Sequence, residues 1–241
     1  MKSLLEISNL TCGYDAIKIL SNINLNVKEG QIVSLLGVNG AGKTTLINSI
    51  FGLSKIFNGE IRFNNEIING CATHDVVQKG IGCIPEGRKV FPNMTVGDNL
   101  RVGSYLVREK KEVKKRFQKV FKLFPKLKER VSQIASGMSG GEQAMLSIGR
   151  GMMLKPKILI IDEPSLGLSP KLIQDTFEII KEINNSGVTI LLVEQNVEQT
   201  IKISNYCYLL SNNKIIVHGS GTDVSNNSEI RKAYFGEKNE C

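Results

Sequence analysis

Between Gly37 and Thr44 the chain reads GVNGAGKT, a glycine-spaced loop closed by a lysine and a hydroxyl residue. No other string constrains the fold as much, because this one works only where a buried strand hands over to a helix. Both flanks are present. Upstream, QIVSLLG is an aliphatic run ending on the first glycine, and downstream residues 43–53 read as a helix. Gly37, Val38, Asn39, Gly40, Ala41 and Gly42 would turn successive backbone N–H groups toward a phosphate chain, at the positive end of that helix. Lys43 adds a mobile charge. Thr44, followed by Thr45, offers a hydroxyl to a hard cation escorting the phosphates. The spacing predicts nucleotide binding, with Mg²⁺ as the expected escorting cation.

The rest of the chain supplies a core around this loop. LLEISNL and ILSNINLNVKEG alternate apolar and polar residues, which predicts strands joined by a turn around Cys12 to Ala16. ILIIDEP and TILLVEQ are short β-branched runs suited to the centre of a parallel sheet, with a helical stretch around 170–185 between them. From roughly 90 to 155 the pattern turns helical. There Val113, Phe117, Val120, Phe121 and Phe124 recur on one helical face until Pro125 ends it. The expected fold is α/β, with a mainly parallel sheet, an N-terminal antiparallel β subdomain and an inserted helical subdomain. It makes one domain over 1–241, with a nucleotide-binding core from 1–88 and 156–241 and the helical part at 89–155.

Composition removes several classes of function. The start, MKSLLEISNL, lacks the regions of a secretory signal, and no apolar run approaches the roughly 20 residues of a membrane span, so a cytoplasmic location is expected. Five cysteines, with no Cys-x-x-Cys pair, argue against a disulfide framework or a zinc site, and the two histidines lie far apart. The net charge of +8 first suggests nucleic acid or an anionic membrane surface. It is concentrated, however, between Arg108 and Arg130, where eleven Lys or Arg face three Glu, and the remainder is neutral. With Phe117, Phe121 and Phe124 on the opposite, buried face, these lysines read as a solvated face rather than a nucleic-acid platform.

Two more elements carry chemistry. The run Ile158 to Ile161 delivers Asp162 and Glu163 at a strand end. One carboxylate there can hold Mg²⁺ and the next can polarise an attacking water, so Asp162 is assigned to the metal and Glu163 to general base catalysis. Between this strand and the phosphate loop lies Met138-Ser139-Gly140-Gly141-Glu142, ahead of a helical run from Gln143 to Met153. It reads either as a backbone anion cradle or as a plain helix cap.

With these motifs in this order the chain resembles the ABC ATPase family, from about Leu4 to Gly236. The resemblance implies that Ser139, Gly140, Gly141 and Glu142 form the signature that completes the ATP site of a facing subunit. It also implies that Tyr14 stacks on adenine. Three positions depart from the family pattern: Glu86 stands where a sensing Gln is usual, Gln195 replaces the switch His, and Ser165 to Leu168 lack an Asp. An anionic Glu86 can still ligate Mg²⁺ but donates no hydrogen bond to phosphate, and Gln195 contacts a γ-phosphate without the imidazolium charge.

Two readings of these departures stand open, a degenerate ATP site or the normal form of one branch. The strings PEGRKVFPNMTVGDNL, MSGGEQAMLSIGRGMM, DEPSLGLSP and LLVEQN favour the second, resembling the LivF-type ATPases of branched-chain amino acid importers. That resemblance implies a second, different ABC ATPase subunit as partner, with a homodimer possible in isolation. It also implies two transmembrane permease subunits, an extracytoplasmic substrate-binding protein and a place on the cytoplasmic face of the membrane. The alternatives are an ATPase for another cargo, urea, amide or lipid-linked, and a nucleic-acid-associated ABC protein. The latter usually carries two modules or long insertions, so no nucleic acid is expected as partner.

Overall fold

The structure is a computed structural model that describes residues 2–87 and 89–227. Arg88, Gly236 and Cys241, which enter the sequence reading, lie outside these residues. In chain order the strands are β1 (Ser3–Tyr14), β2 (Ile17–Lys28), β3 (Ile32–Leu36), β4 (Lys55–Phe63), β5 (Glu66–Ile67), β6 (Ile81–Ile84), β7 (Ile158–Asp162), β8 (Thr189–Glu194), β9 (Tyr206–Ser211) and β10 (Lys214–Gly219). The helices are α1 (Lys43–Ile50), α2 (Thr73–Gln78), α3 (Val96–Val102), α4 (Lys110–Leu123), α5 (Pro125–Glu129), α6 (Gly140–Met152), α7 (Pro170–Asn185), α8 (Val197–Ile201) and α9 (Gly221–Asn226). They divide between two compact units, Met1–Val76 with Thr189–Cys241, and Val77–Val188.

The first unit holds an antiparallel sheet in the order β2-β1-β4-β5. Strict alternation would put Leu10 and Cys12 on the opposite face from Leu5 and Ile7, yet all four are buried. A register shift between Ile7 and Leu10, with Asn9 at φ 49°, inserts the extra residue that brings them back. The turn is tighter than the sequence suggests. Cys12 is paired with Leu20 and Tyr14 with Ile17, which leaves only Asp15 and Ala16 to reverse the chain. Asp15 does so at φ 51°, a left-handed conformation its short polar side chain tolerates.

In the same unit β3 lies between β8 and β9, parallel to both, and β10 returns antiparallel to β9. Every residue of β3 and β8 is buried, which is why both read as mainly aliphatic runs, with Ser34 inside β3 and Thr189 and Glu194 at the ends of β8 as the polar exceptions. Helix α1 ends at Ile50, three residues earlier than its sequence pattern. Leu53 N–H donates to the Asn48 carbonyl at 2.8 Å and Gly52 N–H to the Ser49 carbonyl at 3.3 Å. With Gly52 at φ 69° this is a Schellman close, which only glycine adopts without strain.

In the second unit β6 and β7 pair in parallel, Ile81 opposite Ile158 through Ile84 opposite Ile161. Pro125 ends α4 as expected and then takes the first position of α5, where its missing N–H costs nothing. Val120 and Phe124 are fully buried, while Phe117 and Phe121 are half-buried with their rings 5.5 Å apart. A methyl group on Gly149 of α6 would come within 3.0 Å of Val120, so that glycine lets the two helices close up. Lys110, Lys111, Lys114, Lys115, Lys119 and Lys122 are exposed. Among the described residues no helix is long and apolar enough to cross a membrane.

Candidate functional site

The phosphate loop leaves the buried end of β3. A side chain at Gly37 would strike the Leu210 carbonyl oxygen at 2.7 Å, which explains a glycine at that point. Gly40 and Gly42 are left-handed at φ 80° and φ 103° and curl the loop around Ala41, which is buried, while Val38 and Asn39 face solvent. Gly42 is the N-cap of α1 and no side chain caps it, so the positive end of the helix opens onto the loop. Lys43 is buried, its Nζ donating to the carbonyls of Gly37 at 2.7 Å and Val38 at 3.1 Å. Thr44 is exposed at the mouth and Thr45 is buried. Left-handed glycines, an uncapped helix end and a lysine bent over the loop together fit a phosphate chain.

Two other expected site residues belong to this unit. Tyr14, at the tip of the first hairpin, accepts a 2.7 Å hydrogen bond on its phenolic oxygen from Asn48 Nδ2 of α1. This ties the ring to the helix that begins at the phosphate loop. Gln195 follows β8 and is exposed. Sequence reasoning missed its support. Glu194 is almost fully buried, and its Oε2 accepts the backbone N–H of Gln195 at 3.0 Å and of Asn196 at 3.2 Å. Its carbonyl accepts from Gly37 N–H at 3.3 Å. A carboxylate at the end of an aliphatic strand was the signal.

Asp162, Glu163, Glu86 and the signature belong to the second unit. Asp162 and Glu163 close β7, both nearly buried. Glu163 takes φ 45°, a left-handed conformation that costs a non-glycine residue on the order of 1 kcal/mol and clusters at functional positions. The Cys83 thiol of β6 is pushed up to about 12, by burial first and then by the negative charge of Asp162. Ala144, Ser147 and Ile148 of α6 line a cavity of about 20 Å³ together with Asp162 and Glu163. That volume is enough for a single water. The buried Ser147 hydroxyl that lines it has no hydrogen-bond partner among the described residues. Glu86 is exposed after β6.

Helix α6 starts at Gly140, three residues before its sequence pattern, because Ser139 and Glu142 cap it reciprocally. Ser139 Oγ accepts from Glu142 N–H at 3.4 Å, and Glu142 Oε2 accepts from Ser139 N–H at 3.0 Å. Arg130 adds an ion pair to Glu142 at 3.1 Å. The cap reading of this string is therefore realised, and it presents the first turn of α6 with Gly140 and Gly141 at its head. Gly141 is held close, since an added methyl would meet Leu172 at 2.9 Å. Among the described residues no group of three His, Cys, Asp or Glu surrounds a metal-sized space. The Thr44 hydroxyl in the first unit and the Asp162 carboxylate in the second are each oxygen donors of the kind a hard cation takes.

Comparison with known proteins agrees with this arrangement. The family model described as ABC transporter matches residues 20–166. The high-affinity branched-chain amino acid transport ATP-binding protein BraG of Pseudomonas aeruginosa is 43% identical over 233 residues, spanning 97% of this chain and 100% of its own. The probable branched-chain amino acid transport ATP-binding protein LivF of Archaeoglobus fulgidus is 34% identical, covering 97% and 99%. A crystal structure of a nucleotide-free ATP-binding cassette from an ABC transporter superposes with a TM-score of 0.83 at 26% identity, over 98% of this chain and 100% of that one. The phosphate loop and the capped signature thus sit in a chain whose whole length has such relatives, and the chain belongs to the ABC transporter family as an ATP-binding subunit.

Proposed function

We propose that this ATPase energises the uptake of branched-chain amino acids through separate membrane subunits. The observation that carries the cargo is the 43% identity to BraG over nearly the full chain. Gly37 to Thr45 hold the phosphates of ATP, with Lys43 swinging from its own loop carbonyls to the β- and γ-phosphates. Thr44, Asp162 and Glu86 hold Mg²⁺, which when bound neutralises charge developing on the transferred phosphoryl group. Glu163 takes the proton of the attacking water, Gln195 contacts the γ-phosphate and Tyr14 stacks on adenine.

Ser139, Gly140, Gly141 and Glu142 face the ATP of a second ABC ATPase subunit. The resemblance of the strings carrying Glu86 and Gln195 to the LivF-type branch supports a heterodimer with a different ABC ATPase subunit as the working form, although a homodimer can form in isolation. The chain acts as a single ABC ATPase domain whose helical and signature part, 89–155, passes closure and reopening to two permease subunits at the cytoplasmic face. An extracytoplasmic binding protein delivers the cargo to them. In the assembled complex, Lys43→Ala or Glu163→Gln should abolish ATP-dependent leucine uptake. Unchanged uptake would overturn the assignment.

A further inference from the structure

The second unit contains a cavity of about 540 Å³ that none of the nucleotide-handling residues lines. It lies at the entry ends of β6 and β7, whereas Asp162 lies at the exit end of β7, about 16 Å along the strand. Three segments distant in sequence bring cations to it: Lys79 after α2, Arg108 and Arg116 from the approach to α4 and its first turns, and Lys155 and Lys157 from the loop entering β7. Five cationic side chains face only two carboxylates, Glu109 and Glu112, a surplus of three positive charges. This cavity gives two cations of the basic segment, Arg108 and Arg116, which the ATPase reading leaves unused, a defined place to act.

The arrangement is built rather than loose. The Arg116 side chain is only 15% exposed and is fixed at both ends, Nε on Glu112 Oε1 at 3.2 Å and Nη1 on the Met153 carbonyl at 2.8 Å. The Glu112 carboxylate is thereby held in an ion pair. The hydrogen bond from Arg116 holds its carboxyl below the usual range, with the charges of Arg116, Lys155 and Lys115 adding to it. Lys155 is held at φ 54°, a left-handed backbone for a long side chain. Leu106 and Pro156 form apolar wall between the charges. Cations gathered in a partly enclosed space raise the local concentration of anions, most strongly of multivalent ones.

We propose that this cavity is a second anion site, distinct from the phosphate loop, for a ligand bearing two or more phosphate charges. The same chemistry is available from a free polyphosphorylated small molecule or from the headgroup of an anionic lipid.

Calorimetric titration of the full-length Lys43→Ala chain with tripolyphosphate tests it, because that substitution disables the phosphate loop. One binding event is expected, weakening with added salt and roughly tenfold or more on Lys155→Glu with Lys157→Glu. Arg108→Glu, at an exposed position, is the second variant should the first fold poorly. With Lys43 in place these charge reversals should leave ATP binding at the phosphate loop unchanged. Co-sedimentation with phosphatidylglycerol vesicles identifies the source. Retention lost on charge reversal and displaced by tripolyphosphate makes the headgroup the ligand, whereas tripolyphosphate binding without retention makes it the free anion. Absence of binding to the Lys43→Ala chain, or binding indifferent to charge reversal, overturns the proposal.

Discussion

The backbone N–H of Gly37 donates to the carbonyl of Glu194 at 3.3 Å, so the first glycine of the phosphate loop and the residue before Gln195 are one hydrogen bond apart. The Glu194 carboxylate then turns back to hold the N–H groups of Gln195 and Asn196. The position of Gln195, the proposed γ-phosphate contact, is thus set by a buried acid.

Glu194→Ala should leave those two N–H groups without their acceptor and destabilise the fold by about 1–3 kcal/mol. Glu194→Gln keeps an acceptor oxygen and should cost less. Urea denaturation of the two variants checks the order, and equal midpoints would show that the carboxylate does not hold the turn.

Glu163→Gln preserves shape while removing the proposed proton acceptor. ATP hydrolysis by the assembled complex should fall by about 10²–10⁴-fold, while ATP binding persists. Single-turnover measurements separate the two, and a loss confined to binding would contradict the general-base role.

Tyr14 combines a ring with a tethering hydroxyl. Tyr14→Phe removes only the bond from Asn48, in an exposed setting, and should change nucleotide affinity little. Tyr14→Ala removes the stacking face and should cost about 0.5–1.5 kcal/mol of ATP binding. Fluorescent-nucleotide titration reads both, and equal losses would place the effect in the tether.

Burial pushes the Cys83 thiol up to about 12 and the Cys207 thiol to about 11, from an ordinary value of 9.0. In the unfolded chain these thiols ionise near pH 9, while the folded chain keeps their protons. Stability is therefore fully present below pH 9 and is lost as the pH rises toward about 11 and 12. Urea midpoints taken between pH 8 and the alkaline limit should fall, and Cys83→Ala should flatten that fall.

What was legible in the chain was local. Gly37 to Thr44, the aliphatic runs at β3, β7 and β8, and α7 at Pro170–Asn185 follow from periodicity and from residue types that admit few conformations. The differences lie where short-range competition decides. Gly52 closes α1 early, Ser139 with Glu142 starts α6 early, and a bulge at Asn9 returns Leu10 to the buried face.

By itself the sequence determined the nucleotide chemistry, because a phosphate cradle is a contiguous string whose glycines, lysine and hydroxyl act through backbone geometry within a few residues. Only the tertiary structure decided which side chains support it. The bond from Gly37 to the Glu194 carbonyl, the tether of Tyr14 to Asn48, and the gathering of Lys79, Arg116 and Lys155 around one cavity join positions far apart in the chain. Electrostatic and hydrogen-bonded contacts of that kind depend on distance in space, which a single sequence leaves unspecified.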